Sequence, residues 1–137
     1  MQIKFPIEFL VHGTPVSLQA KRSKSKDEWK DRIRNESKAV IPDYHFASDE
    51  RMSVTLFYLP DAPMQGDIDN IVKPILDALS QHIYLDDAQV ERVVVQKFEP
   101  GNVFSFQQPS DTFLMAIQGA KPVLYIRVSS NPEEDLE

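Results

Sequence analysis

Residues 66–90, GDIDNIVKPILDALSQHIYLDDAQV, place a helix between two strand-like runs and load it with charge. Ile71, Val72, Ile75, Leu76 and Leu79 fall on one helical face, which predicts a helix over 69–81. Pro74 fits such a helix only in its first turn, where the missing N–H costs little. The same stretch holds five aspartates: Asp67, Asp69, Asp77, Asp86 and Asp87. A segment patterned for burial needs a reason to carry so many carboxylates.

Outward from this stretch the pattern alternates between strand and helix. Residues 3–11, 51–59, 90–98 and 123–128 read as strands. Residues 13–25 read as a basic loop. From Lys26 to Val40, Trp29, Ile33, Glu36/Ser37 and Val40 form a weak apolar stripe that predicts a helix, closed by Pro42. Residues 100–110 read as a loop, and Ser110 with Asp111 caps a short helix over 111–118 that stops at Gly119. The expected fold is α+β: one small domain over 1–137, with a mixed sheet of about four strands and two to three helices. Residues 133–137 are expected to be a solvated, frayed acidic tail.

The chain has 137 residues and no cysteine, which excludes disulfides and thiolate metal sites. No leader-like or membrane-length apolar run is present, so a cytoplasmic protein is expected. The net charge of −6 is uneven, with nine Lys/Arg against five Asp/Glu in residues 1–38 and six against sixteen in the remainder. Unspecific nucleic-acid binding by the whole surface is disfavoured, but a local basic stretch can still meet phosphates.

In extended chain Asp67 and Asp69 leave on the same face, just before the predicted helix, where carboxylates are favoured. Lys73 lies four residues after Asp69 and four before Asp77, so the three can share a polar stripe. Asp86 and Asp87 follow as the chain turns toward the next strand. Carboxylates without His or Cys suit a hard cation such as Mg²⁺, which is commonly bound through a few carboxylates and substrate phosphate oxygens. A helix cap, a surface ion pair and a turn explain the same residues one by one.

Taken together, GDIDNIVKPILDAL…YLDDAQV closely resembles the signature of the RusA-type Holliday junction resolvases, D-x-D-N-x-x-K, then D-A-L, then D-D-A-Q-V. The likeness covers about 25 of 137 residues in register, and more faintly GTPVSLQAKR and the closing strand. It implies a small α+β homodimer that cuts branched DNA in recombination and repair as a crossover junction endodeoxyribonuclease. It implies Asp67, Asp69 and Asp87 as ligands of Mg²⁺, with Mn²⁺ able to substitute, and Asp86 as an adjacent supporting carboxylate. Lys73 would be the cation that assists cleavage.

Lys21, Arg22, Lys24 and Lys26 are the candidate DNA contacts. Asn70 is expected to serve the helix start and Gln89 a packing or loop contact, while His12 and His82 are read as structural. Phe104 and Phe106 can wedge between bases, but core packing or a dimer contact suits them better. Two other functions stay open at this point: a nuclease for flaps, forks or other branched DNA, and a catalytically weak module that binds DNA or protein.

Overall fold

The computed structural model describes residues 1–136. Its elements are β1 (Ile7–His12), α1 (Ser23–Ser37), β2 (Met52–Leu59), α2 (Val72–Leu79), β3 (Val90–Lys97), α3 (Asp111–Gln118) and β4 (Val123–Ser129). Short 3₁₀ turns occupy Ile68–Ile71 and Asp87–Gln89. The four strands form one mixed sheet in the order β1-β4-β2-β3. β4 runs antiparallel to both of its neighbours, and β2 runs parallel to β3. The expected α+β class with a single mixed sheet is therefore what the chain adopts.

Register explains the layers. Ile7, Val128 and Val54 lie in one cross-strand row, and Phe9, Ile126 and Leu56 in the next. All six are buried beneath α1 and α2 with Trp29, Ile33, Ile75 and Leu79. Each fully buried Ile or Leu here contributes roughly 1.5–3 kcal/mol. The opposite face alternates with it. Phe57, Tyr125, Leu59 and Val123 pack under α3 with Phe113 and Phe98. Phe104 and Phe106 join this aromatic cluster, at 4.9 Å from Phe98 and 5.1 Å from Phe113, so packing is their role.

Helix α2 carries Pro74 at its third residue, inside the first turn as expected. Several boundaries differ from the sequence reading: the helix expected over 69–81 is α-helical only over Val72–Leu79, with a 3₁₀ turn before it. The strand expected over 3–11 starts only at Ile7, because its partner β4 offers pairing from Val123 to Val128 and no further. Helix α1 spans Ser23–Ser37 rather than 26–40. Its first turn, SKSK, has no apolar residue for periodicity to detect. At its other end the chain leaves the helix by turns, and Ile41 rather than Val40 reaches the core.

The acidic tail makes ion pairs with the sheet. Over its described residues Glu133 pairs with Arg51, Glu134 with Arg127 and Asp135 with Arg92. Residue 137 lies outside the described residues. No helix among the described residues is long and apolar enough to cross a membrane.

Candidate active site

Three segments meet at one end of α2. The first is the loop that leaves β2. Gly66 sits at φ +81 with open space around it, so glycine is required there by backbone conformation and not by crowding. Asp67 follows in extended geometry, and its carbonyl accepts from the Asn70 N–H at 3.1 Å to begin the 3₁₀ turn. Asn70 thus serves the helix start as expected, through its main chain. The carboxylates of Asp67 and Asp69 are exposed on this turn, which packs against β3.

The second segment is the head of α2, and the third is the entry to β3. The Lys73 ammonium donates to Asp77 Oδ1 at 2.7 Å and to Asp87 Oδ2 at 2.8 Å. The first contact is the helical i,i+4 pair read from sequence. The second joins residues fourteen apart, which no local pattern contains. Asp77 first and Asp87 second hold the lysine well above its ordinary pKa, so it stays charged. On its other oxygen Asp87 accepts from the Tyr84 hydroxyl at 3.1 Å. Tyr84 is fully buried, and that burial, with Asp87 next, pushes its phenol far above the ordinary value. It therefore remains a proton donor.

Gln89 has a larger role than a packing contact. Its amide oxygen accepts from the Leu85 and Asp86 N–H groups at 2.8 and 2.9 Å, and its amide nitrogen donates to the Ser48 and Glu50 carbonyls at 2.8 and 2.7 Å. The turn carrying Asp86 and Asp87 is thereby clamped to the chain entering β2. Asp86 heads the same turn in a capping box with Gln89. Arg34 of α1 donates to the Ala78 carbonyl at 2.8 Å and the Ser80 carbonyl at 3.3 Å, closing the open end of α2. Tyr84 and Arg34 escape sequence reasoning, since one looks like core and the other like a surface cation.

Among the described residues no three His, Cys, Asp or Glu side chains converge as a cation cage. The space between Asp77 and Asp87 is taken by the Lys73 ammonium. The turn that carries Asp69 packs on β3, and Asp86 adjoins Asp87 in sequence.

The basic segment comes to the same region. Lys21 and Arg22 precede α1, while Lys24, expected in the loop, lies with Lys26 in its first turn. Cations at a helix N-terminus oppose the macrodipole, so helix stability does not account for them. Lys26 Nζ donates to the Leu18 carbonyl at 2.9 Å, and the Leu18 N–H donates to the Asn70 carbonyl at 2.7 Å. Two hydrogen bonds thus link the start of α1 to the acidic turn. Beside them a cleft of ≈ 260 Å³ opens between Thr14–Ser17 and Pro60–Asp67. His82 is structural as expected: its ring bonds Ser37 Oγ at 2.8 Å. His12 contributes its carbonyl to Arg32.

The model of the family described as endodeoxyribonuclease RusA matches residues 12–103, a span that holds every residue of this site. No curated protein matches the chain.

Proposed function

Because this chain belongs to the RusA endodeoxyribonuclease family, we propose that it is a Mg²⁺-dependent nuclease that resolves Holliday junctions by paired phosphodiester hydrolysis. The observation that carries this reading is the fixing of Asp87 by Lys73 and Tyr84, at the entry to the strand on which the Asp69 turn packs. RusA nucleases are in general dependent on a divalent metal. The donor chemistry here fits a hard cation, because every candidate ligand is a carboxylate oxygen. Asp67, Asp69 and Asp87 would hold it, with Asp86 as the adjacent carboxylate. When bound, it supplies polarisation of the scissile phosphodiester and neutralises the charge that develops there.

The remaining work falls to the chain itself. Lys73, kept protonated by Asp77 and Asp87, adds positive charge toward the departing 3′ oxygen. Tyr84 and Gln89 keep Asp87 from turning away. Lys21, Arg22, Lys24 and Lys26 draw phosphates toward the acidic turn. Resolution needs two symmetric cuts and each chain carries one acid set, so the second comes from another copy in a closed two-fold dimer. The exposed Leu114 and Met115 of α3 support such a contact.

The test is nicking of a synthetic four-way junction in Mg²⁺ beside flap, fork and linear duplex DNA of equal length. Symmetric paired nicks confined to the junction are expected, and Asp67→Asn, Asp69→Asn and Asp87→Asn should each abolish them in a folded protein. Cutting of flaps or forks alone would change the substrate. Tight binding without cutting would make the protein a binding module. Heterodimers with Asp69→Asn should nick one strand only, and paired nicks from a monomer would exclude the dimer.

A further inference from the structure

The outer face of the sheet is divided. At one end its rows are apolar and lie under α3. At the other end the cross-strand rows read Arg92, Ser53 and Ser129, then Val94, Thr55, Arg127 and Glu8. Here Arg92 of β3 and Arg127 of β4 stand on one face of adjacent rows, with Arg51 at the approach to β2. A polar floor of this kind is unusual beneath a covering segment. Ser53 Oγ is buried there with no hydrogen-bond partner among the described residues.

What covers it is the acidic segment 131–136. Glu134 accepts from Arg127 at 2.8 Å and from Ser129 Oγ at 3.1 Å, Asp135 pairs with Arg92 at 2.5 Å, and Glu133 pairs with Arg51. Three successive carboxylates thus meet three arginines, of which Arg51 is also held by Glu91 through hydrogen bonds of 2.8 and 2.7 Å. Apolar packing adds little to this hold: Pro132 is buried, but Leu136 is 83% exposed. Arginine guanidinium groups match the paired oxygens of carboxylate and phosphate alike. The Arg127–Glu134 pair is half-buried, but Glu133 and Asp135 reach solvent. Exposed ion pairs hold weakly and weaken further in salt, so the outer part of this cover can be exchanged.

We propose that Arg51, Arg92 and Arg127 form a second nucleic-acid contact surface for phosphates, and that Glu133, Glu134 and Asp135 occupy it in place of phosphate until DNA displaces them. The inference rests on the nuclease reading above. It gives the acidic charge of this chain a function, as an internal competitor that restrains DNA binding. Arg92 lies five residues beyond Asp87, at most about 17 Å of extended chain, so phosphates flanking the cut can reach around the β3 edge to it.

The experiment compares the wild type with Glu133→Gln/Glu134→Gln/Asp135→Asn by anisotropy of a labelled four-way junction in EDTA, across a salt series. Neutralising the segment should tighten binding on the order of tenfold at low salt. It should also steepen the log–log salt dependence by up to about 1.8, which is 0.9 for each of Arg92 and Arg127, since Glu91 still holds Arg51. Adding Arg51→Gln, Arg92→Gln and Arg127→Gln should remove the gain. Thermal melting confirms that each variant is folded. A gain that survives loss of the arginines would reduce the effect to net charge and overturn the proposal, as would unchanged affinity and slope. The wild type is assayed for nicking in parallel. Nicking with no tail effect sinks this proposal alone, whereas no binding or nicking by any variant sinks the nuclease reading and this proposal with it.

Discussion

Replacing Tyr84 with phenylalanine separates positioning from packing at the acidic site. The ring is fully buried and its volume is almost unchanged by the substitution, so the core should refill without a cavity. What is lost is one hydroxyl that faces two acceptors at 3.1 Å, the Leu76 carbonyl and Asp87 Oδ1. Leu76 keeps a partner, because the Ser80 N–H donates to the same carbonyl at 2.9 Å. Asp87 keeps only Lys73, on its other oxygen. A hydrogen bond to a half-buried carboxylate is worth roughly 1–2 kcal/mol, so the variant should stay folded with a modest fall in Tm. Activity should suffer more. Loss of a group that orients a metal-binding carboxylate commonly costs about 10–100-fold in metal affinity or turnover. The assay is junction nicking across a Mg²⁺ titration, beside thermal melting. A variant that melts lower yet nicks normally at every Mg²⁺ concentration would show that Tyr84 is core and nothing else, and the positioning argument would fail.

Lys73→Ala should lower turnover by roughly 10²-fold or more at little cost to junction affinity, and a loss confined to binding would make the lysine a phosphate anchor. Asp77→Asn, which weakens the hold on Lys73 without touching Asp87, should be the mildest aspartate change in the same nicking assay. Replacing Lys21, Arg22, Lys24 and Lys26 with alanine should weaken binding and flatten its salt slope by up to about 0.9 for each phosphate no longer neutralised; an unchanged slope would place the DNA elsewhere. His82 makes stability depend on pH. Burial first, then the neighbouring His45 and Arg34, lower its pKa from 6.5 to about 4, so the folded protein holds it neutral. The unfolded chain takes up the proton first as pH falls, so the contribution is complete above about 6.5 and is lost toward 4, up to about 3 kcal/mol. Urea midpoints between pH 7 and 4 should fall less steeply in His82→Gln, and an unaltered slope would exonerate this imidazole.

Local chemistry was legible in the sequence. The helix at 111–118 needs only its own residues: Ser110 Oγ accepts from the Phe113 N–H at 3.1 Å, and Gly119 follows the last turn. The Lys73–Asp77 pair and the place of Pro74 follow likewise from helical spacing. The aspartate motif was equally readable, because its residue types and intervals are fixed along the chain. Pairing across the sheet was not. A strand's alternation states which face it buries but not which neighbour it joins, so the parallel union of β2 with β3 and the true start of β1 depend on partners far away. The same holds for Asp87 against Lys73 and Tyr84, for Arg34 closing α2, and for three tail carboxylates on three arginines. A charged or aromatic side chain has no preferred partner in sequence. It acquires one only when burial of the apolar faces has brought distant segments together and left polar groups that must be satisfied where they meet.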